Sequence, residues 1–452
     1  LEVRGLKVLV VGAGQSGLAA AGFLAGQGAR VTLTDRKDEK ELGEQLAGLP
    51  PAVFRHFGGY PPLAGFDLVV TSPGVPPREA VLAEAVAAGI PLIGELELAY
   101  RFCPVPMIAV TGTNGKTTTT SLLGEIAARE RPTLVGGNIG VPLVSRVAGL
   151  PGNALVVAEV SSFQLAATVR FRPAVAVVLN IVPDHLDWHG SMPAYVEAKA
   201  RLLANQGGED AAVLNRDDPL TRDLAGRCRG RVLFFSTRCG LEEGAFVRNG
   251  RIVFRTDGRE EEVAATDCLR LPGEHNLANA LAAVAAARAA GISTEAVARG
   301  LASFRGVRHR LETAAVADGV RWVNDSKGTN PAAAITALRS FAGPVVLIAG
   351  GRSKGGDFTD FAAEAAKKVR LAALLGEAAP EIEAAFLKHG FTAVRRVESL
   401  REAVEVAAET ACPGDTVLLS PACASWDMFR NYEERGDLFC HLVRDRVAGR
   451  RG

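Results

Sequence analysis

Residues 107–118 read Met-Ile-Ala-Val-Thr-Gly-Thr-Asn-Gly-Lys-Thr-Thr: a strand-length apolar run enters a glycine loop and ends in Gly-Lys-Thr, where a helix should begin. Backbone N–H groups of such a loop can cradle phosphates, Lys116 can neutralise the outer phosphate oxygens, and Thr117 can ligate Mg²⁺. The loop is short, because Val110 stands where the first glycine of the usual phosphate loop belongs, so Gly112 is the usable one. A Gly/Thr-rich turn without a ligand is the alternative reading.

Outward from this loop, short β-branched runs alternate with alanine-rich segments of helical length. That is the pattern of parallel sheets covered by helices, so the fold class is α/β. Towards the N-terminus the reading is a strand over 7–11, a glycine loop, a helix from about Ser16, strands over 30–34 and 67–71, and a turn at Ser72-Pro73-Gly74. A charged helix then gives way to Cys103-Pro104-Val105-Pro106, a break that marks a boundary near 95–106. Towards the C-terminus the reading continues with strands over 154–157 and 174–179, then a hairpin at Asn249-Gly250, whose residue pair suits a type I′ turn. A long alanine-rich helix follows Asn276. A third unit starts near 304–310, with strands over 345–349 and 416–419 and a helix over 358–368 between them. The expected domains are 1–95, 96–303 and 304–452, in line with about 150 residues per domain for a chain of 452.

Composition narrows the classes. Lys+Arg is 51 and Asp+Glu is 50, a net charge of +1, which argues against a general polyanion binder; no nucleic-acid partner is expected and any phosphate site must be local. No apolar run approaches the roughly 18 residues of a membrane span, and the opening apolar run flows into a glycine loop rather than a cleavage site, so neither membrane nor export is expected. The seven cysteines are scattered and never spaced as CxxC, which points away from disulfides and structural zinc and towards reduced cytoplasm. Only ten of the 51 basic residues are lysines, among them Lys116, Lys199, Lys327 and Lys354. In an arginine-biased chain, a lysine inside a motif points to a need for a primary amine or a compact ammonium.

Other motifs carry chemistry. Gly12-Ala13-Gly14-Gln15-Ser16-Gly17 follows a strand and opens a helix, and Asp35 ends the next strand. This is a dinucleotide fingerprint, compatible with NAD or FAD, with another nucleoside diphosphate, or with a structural turn. Glu159 and Asn180-Ile181-Val182-Pro183-Asp184-His185 each follow a strand, so they should face the phosphate loop and could hold a second divalent cation. His185 and His189 are four apart as in zinc proteases, but Leu186 replaces the glutamate that such a mechanism needs. Lys199 lies in the helical segment 193–201, as a candidate site amine or as a surface lysine paired with an acid. Gly351-Arg352-Ser353-Lys354-Gly355 matches a nucleophile elbow, although the Gly355-Gly356 pair should delay the helix; a turn presenting Lys354 to an anion is the other reading.

Three blocks taken together exceed any one of them: TGTNGKTTT at 111–119, NIVPDHLDWHG at 180–190, and NDSKGTNP at 324–331 with SPACASWDMF at 420–429. With these the chain closely resembles the Mur ligases, and within them the branch that adds D-glutamate. The resemblance implies an N-terminal Rossmann-like domain, a central P-loop ATPase-type domain and a C-terminal Rossmann-like domain. It implies ATP-dependent ligation of D-glutamate to UDP-N-acetylmuramoyl-L-alanine through an acyl phosphate, by a cytoplasmic monomer of peptidoglycan precursor synthesis. The UDP substrate would meet Gln15, Ser16, Asp35, Ser72, Gly74, Asn138 and His185. ATP would meet Gly112, Thr113, Asn114, Gly115, Lys116, Thr117 and Thr118, with Asn276, Arg310 and Asp325 at its nucleoside.

Two Mg²⁺ sites would draw on Thr117, Glu159, His185 and Lys199, the last as a carbamate, and Lys116, Glu159, His185 and Lys199 would be the catalytic set. D-glutamate would be received by Lys327, Thr329, Lys354, Ser420 and Phe429. The chain departs from the pattern at Arg36-Lys37, where relatives often show Thr-Arg, and at Trp426, where Phe is commoner. A related ligase with another amino acid and a folylpolyglutamate-type ligase remain as alternatives, although the Asp-Asn-Pro-Arg motif of the diaminopimelate and lysine enzymes is absent. A non-catalytic nucleotide sensor and an NAD-dependent oxidoreductase are the rivals from other classes; the oxidoreductase reading would leave the Gly-Lys-Thr loop idle.

Overall fold

The computed structural model describes residues 1–271, 273–353 and 357–449. They fall into two units, 1–304 and 305–452. In the first unit, β1 (Lys7–Val11), β2 (Arg30–Asp35), β3 (Phe54–Phe57), β4 (Leu68–Thr71) and β5 (Leu92–Gly94) form a sheet in the order β3-β2-β1-β4-β5. All its pairs are parallel. The order reverses at β1, and the crevice of such a sheet opens at the carboxyl ends of the strands beside that reversal.

The same unit holds a second sheet, built from β6 (Met107–Thr111), β7 (Thr133–Gly137), β8 (Leu155–Glu159), β9 (Val175–Val178), β10 (Ala211–Asn215), β11 (Arg231–Ser236), β12 (Gly244–Arg248), β13 (Arg251–Thr256) and β14 (Arg259–Ala265). Its order is β14-β13-β12-β11-β10-β9-β6-β8-β7, so β6 is flanked by β8 and β9. The expected hairpin is present: β12 and β13 pair antiparallel across Asn249 and Gly250, both at positive φ (49° and 73°), as a type I′ turn requires. Asp257-Gly258 and Asp318-Gly319 make two further turns of this kind, with φ of 51° and 69° and of 53° and 74°. Both Asp-Gly pairs carry the same sequence signal as Asn249-Gly250. The helix expected after Asn276 runs Glu274–Ala289, so Asn276 lies in its first turn.

The first two sheets are not separated by a gap in packing. One core of buried side chains runs from Val8, Val10 and Leu24 through Leu96 and Leu98 to Met107, Val156 and Val178. The charged helix at the expected boundary is Glu95–Phe102, and it is built into this core: Glu95 and Glu97 are both buried. Glu97 accepts hydrogen bonds from the backbone N–H groups of Val169, Arg170 and Phe171 at 2.9–3.0 Å and pairs with Arg101 at 2.8 Å. Glu95 accepts from the N–H of Val144 at 2.9 Å, and its burial pushes its carboxyl up to about 7. Two buried acids thus fasten the helix between the sheets to loops of the second sheet.

The second unit is a sheet of β15 (Glu312–Ala317), β16 (Val320–Asn324), β17 (Val345–Gly350), β18 (Val369–Leu375), β19 (Val394–Arg396) and β20 (Thr416–Leu419) in the order β15-β16-β20-β17-β18-β19. β15 is antiparallel to β16 and the other pairs are parallel. Cores lie on both faces, one around Leu338, Phe361 and Phe386 and the other around Trp322, Phe439 and Val443. The helix after the Gly-x-Ser-x-Gly match begins only at Thr359, so Ser353 does not open a helix as a nucleophile elbow does. Among the described residues no helix is long and apolar enough to cross a membrane.

Removing the buried Glu97 carboxylate leaves three backbone N–H groups, that of Phe171 buried, and an arginine without their acceptor. Glu97→Ala should destabilise the first unit by about 3 kcal/mol, read as a lower denaturant midpoint for that unit while the transition of the second unit stays in place.

Candidate active site

At the carboxyl end of β1 the chain turns through Gly12, at φ 96°, into the helix Gln15–Gly26. A Cβ on Gly17 would lie 1.8 Å from the Gly12 carbonyl oxygen, so glycine there lets the helix touch the strand. A Cβ on Gly14 or Gly74 would meet no protein atom within 4 Å: the space beside them is a cleft. This cleft, of about 420 Å³, is lined by Gly14, Gln15, Ser16, Asp35, Ser72, Gly74 and Asn138, all expected from the sequence, by Arg36, singled out there as a departure from the pattern, and by Tyr60 and Glu79, which were not expected. The helix N-terminus and its free N–H groups favour a diphosphate here. Asp35 accepts from the N–H groups of Ala13 and Lys37 at 2.7 and 3.0 Å, which fixes its carboxylate at the cleft wall.

The Gly-Lys-Thr loop leaves β6, and the helix Lys116–Ala127 begins at the lysine, with Gly115 at φ 84°. The segment after β9 holds this loop in shape. Asn180 accepts from the Asn114 N–H at 2.8 Å and donates to the Asn114 carbonyl at 3.1 Å, and Thr113 N–H donates to the Asn180 carbonyl at 2.9 Å. Thr113 also shares a hydrogen bond with the Tyr195 hydroxyl at 3.1 Å. On the other side, Asn279 packs so closely that a Cβ on Gly115 would stand 2.2 Å from its Oδ1. Asn180, in the segment expected to face the loop, is therefore a positioning residue, as are Tyr195 and Asn279, which the sequence did not single out. Asn279 lies one helical turn beyond Asn276 and bonds to it at 3.5 Å, so the i, i+3 asparagine pair was the available signal.

Glu159 ends β8, next to β6, and is buried. Its Oε1 accepts from Asn138 Nδ2 and its carbonyl from Asn138 N–H, both at 2.8 Å, while Oε2 has no partner among the described residues. Lys199 is buried in the helix Met192–Ala200 and donates to the Gly112 carbonyl at 3.0 Å. Lys116 Nζ donates to the same carbonyl at 2.8 Å. Burial first, and then the Lys116 charge, lower the Lys199 amine to about 7. Thr117, at the loop's end, is buried as well.

His185, at φ 52°, is about half exposed, lies against Phe163 with ring centroids 4.8 Å apart, and has Nε2 3.5 Å from Asp184. Among the described residues no three His, Cys, Asp or Glu groups gather as a metal cluster. The buried carboxylate oxygen of Glu159 that lacks a partner, at the end of the strand beside the phosphate loop, is nevertheless an oxygen donor suited to a hard cation.

In the second unit, Asp325 follows β16 and Ser420 follows β20. The Ser420 hydroxyl donates to Asp325 at 2.7 Å, both are buried, and burial raises the Asp325 carboxyl to about 6. Arg310 sits between His309 and Leu311, both at positive φ, and its charge acts on Asp325. Thr329 N–H donates to the Lys327 carbonyl at 2.9 Å, and Lys327 Nζ lies 5.6 Å from the ring of Tyr432. Phe429, by contrast, packs on the Trp322 core. Arg435 is fully buried and donates to the Ser326 hydroxyl and carbonyl, both at 2.9 Å, which ties the Asp325–Lys327 loop to the helix from Tyr432. Neither Tyr432 nor Arg435 was singled out from sequence, although both lie just beyond the SPACASWDMF block. Lys354 lies outside the described residues.

Three family profiles match the chain: a Mur ligase MurD-like N-terminal domain over 6–94, a Mur ligase middle domain over 110–287, and a Mur ligase glutamate ligase domain over 309–423. Among curated proteins it is 54% identical over 441 residues to a UDP-N-acetylmuramoylalanine--D-glutamate ligase of Pelotomaculum thermopropionicum, covering 97% of each chain. It is 48% identical over 442 residues to one of Desulfitobacterium hafniense, again covering 97% of each. Among solved structures it resembles the UDP-N-acetylmuramate-alanine ligase MurC of Thermotoga maritima, with TM-score 0.59, 21% identity, and 97% and 99% of the two chains covered. A MurF ligase of the same organism, solved with ADP, matches with TM-score 0.59, 19% identity, and 99% and 96% covered. At such identities the two structures speak for the fold.

Gly115→Ala puts a methyl group onto Asn279 and strains the loop backbone. ATP affinity measured by calorimetry should fall at least about tenfold while the circular dichroism spectrum is unchanged.

Proposed function

The chain belongs to the Mur ligase family, and on that premise we propose that it joins D-glutamate to UDP-N-acetylmuramoyl-L-alanine with consumption of ATP, in peptidoglycan precursor synthesis. The observation that carries the reading is Asn138. It lines the nucleotide cleft and is hydrogen-bonded to Glu159 beside the phosphate loop, so a substrate held by its UDP has a short path to the triphosphate. In this reading the sheet of residues 1–95 binds the UDP substrate, 96–303 binds ATP and 304–452 binds the amino acid. The cytoplasm is where ATP and such a nucleotide-sugar meet.

The loop N–H groups and Lys116 hold the triphosphate. Thr117, Glu159, His185 and, as its carbamate, Lys199 would hold Mg²⁺, which when bound supplies positive charge against the phosphoryl oxygens. The alanyl carboxylate attacks the terminal phosphorus and ADP departs, leaving an acyl phosphate. The amine of D-glutamate, carried by groups of the second unit around Lys327 and Thr329, then attacks the carbonyl, and phosphate leaves as the amide forms. Lys116 stays beside the loop throughout and offsets charge in both transfers.

Lys199 fits a second role. A neutral amine adds CO₂ to give a carbamate and a proton, and an amine lowered to about 7 has a substantial neutral fraction for that step near neutrality. The product replaces a cation beside Lys116 with an anion that can share a metal with Glu159, a change closed to arginine.

Phosphate release should require ATP, the UDP substrate and D-glutamate together; release at full rate without either of the last two would exclude the ligase reading. Lys199→Ala should lose turnover by on the order of a hundredfold and regain part of it with a short-chain carboxylic acid, whereas unchanged turnover would refute the carbamate role. Carbon-13 NMR with labelled bicarbonate should give a carbamate signal in the wild type and none in Lys199→Ala.

A further inference from the structure

Where β7 ends, the chain runs on along the nucleotide cleft, and Gly137, Asn138, Gly140 and Pro142 form part of its wall. This stretch is pinned by hydrogen bonds at two points. At one end Asn138 donates to Glu159; at the other the Val144 N–H donates to Glu95 Oε1 at 2.9 Å. Between the pins, the N–H groups of Ile139, Gly140 and Val141 donate to no acceptor among the described residues. Leu143 and Val144 are buried in the core beneath. Apolar packing is non-directional, so the directional bond to Glu95 is what fixes where the wall stops.

The group making that bond is an unusual choice. Glu95 opens the helix Glu95–Phe102 and is 1% exposed, and its Oε2 has no partner among the described residues. The elements packed most closely on this helix are β4, β5, the helices Gln15–Gly26 and Ser162–Ala166, and the turns Leu143–Ser145 and Val147–Gly149. None of them carries an ionisable side chain. On the helix itself Glu97, Tyr100 and Arg101 are ionisable, and Glu97 and Arg101 pair with each other. Arg146 and Arg170, on the loops that Glu95 and Glu97 hold, are exposed. No charged side chain acts on the Glu95 carboxyl, and burial alone pushes it up to about 7. Glutamine would accept the same N–H with no charge to bury, so the need for an acceptor does not account for an acid here.

We propose that Glu95 is a positioning residue for the nucleotide-bound substrate: protonated, it holds the 138–144 wall against the cleft through Val144, and ionised, it releases that wall. The proposal rests on the reading of this cleft as the site of the UDP substrate and adds a control on its affinity. With the wall released, water reaches the carboxyl, which then titrates near its ordinary value of 4.5, against about 7 with the wall docked. The docked form therefore binds the extra proton. Its advantage is complete below about 4.5 and is lost as the pH rises to about 7, so substrate affinity falls with rising pH across that window.

Calorimetric titration of the full chain with UDP-N-acetylmuramoyl-L-alanine at pH 5.5 and pH 7.5 tests this. Wild-type affinity should drop by about tenfold between the two. Glu95→Gln, which keeps the acceptor and cannot ionise, should bind at both pH values about as tightly as the wild type does at pH 5.5. Glu95→Ala, which lacks the acceptor, should bind about tenfold more weakly than Glu95→Gln at both, with circular dichroism verifying that the variants are folded. The same fall with pH in Glu95→Gln as in the wild type, or equal affinity of folded Glu95→Ala and Glu95→Gln, would overturn the role of Glu95 and leave the substrate site standing. Binding at neither pH by the wild type would overturn both.

Discussion

Asn138 joins two sites that the sequence presents as separate. Its side-chain amide and its backbone N–H both donate to Glu159, at 2.8 Å each, and it also faces the nucleotide cleft. Glu159 in turn ends the strand beside the phosphate loop. Each element of the first unit serves this junction. The parallel sheets bring their carboxyl ends to the clefts, the glycines let helix starts approach, and buried Glu95 and Glu97 fasten the connecting helix to the loops after it. Without that junction there would be a nucleotide cleft and a phosphate loop, but no reason for a carboxylate held at one to meet the phosphate held at the other.

The electrostatics of the loop follow from crowding. Lys116 and Lys199 donate to one carbonyl, that of Gly112, in a buried setting, where two like charges are costly. Desolvation bears mostly on Lys199, the more deeply enclosed of the two, and its amine gives way first. The same crowding that would be a defect in a structural core makes a nucleophilic amine beside the phosphate loop, which is how perturbed groups come to mark functional sites.

What could be read from sequence was whatever a residue must do locally. Gly12, Gly17 and Gly115 are explained by backbone approach, Asn249-Gly250 by its turn, and the Gly-Lys-Thr loop by its strand and helix, and all of these are present. Features whose partners are far away in sequence escaped. Glu95 and Glu97 read as a charged helix at a boundary because their acceptor role depends on N–H groups of residues 144 and 169–171. Arg435 looks like one more arginine until its bonds to the Ser326 loop are seen. That Ser420 donates to Asp325, ninety-five residues away, is likewise not written in the sequence. The continuous core beneath the first two sheets was likewise invisible, since periodicity reports which face is apolar and not what covers it.

In this ligase chemistry a carboxylate of the nucleotide-bound substrate is activated by phosphorylation beside Lys116. Turnover of UDP-N-acetylmuramoyl-L-alanine carrying oxygen-18 in its alanyl carboxylate tests it most directly, with the released phosphate analysed by mass spectrometry. An acyl phosphate passes one carboxylate oxygen to the phosphate, so the account predicts one heavy oxygen per phosphate released. Phosphate free of the label, formed alongside the amide product, would contradict it.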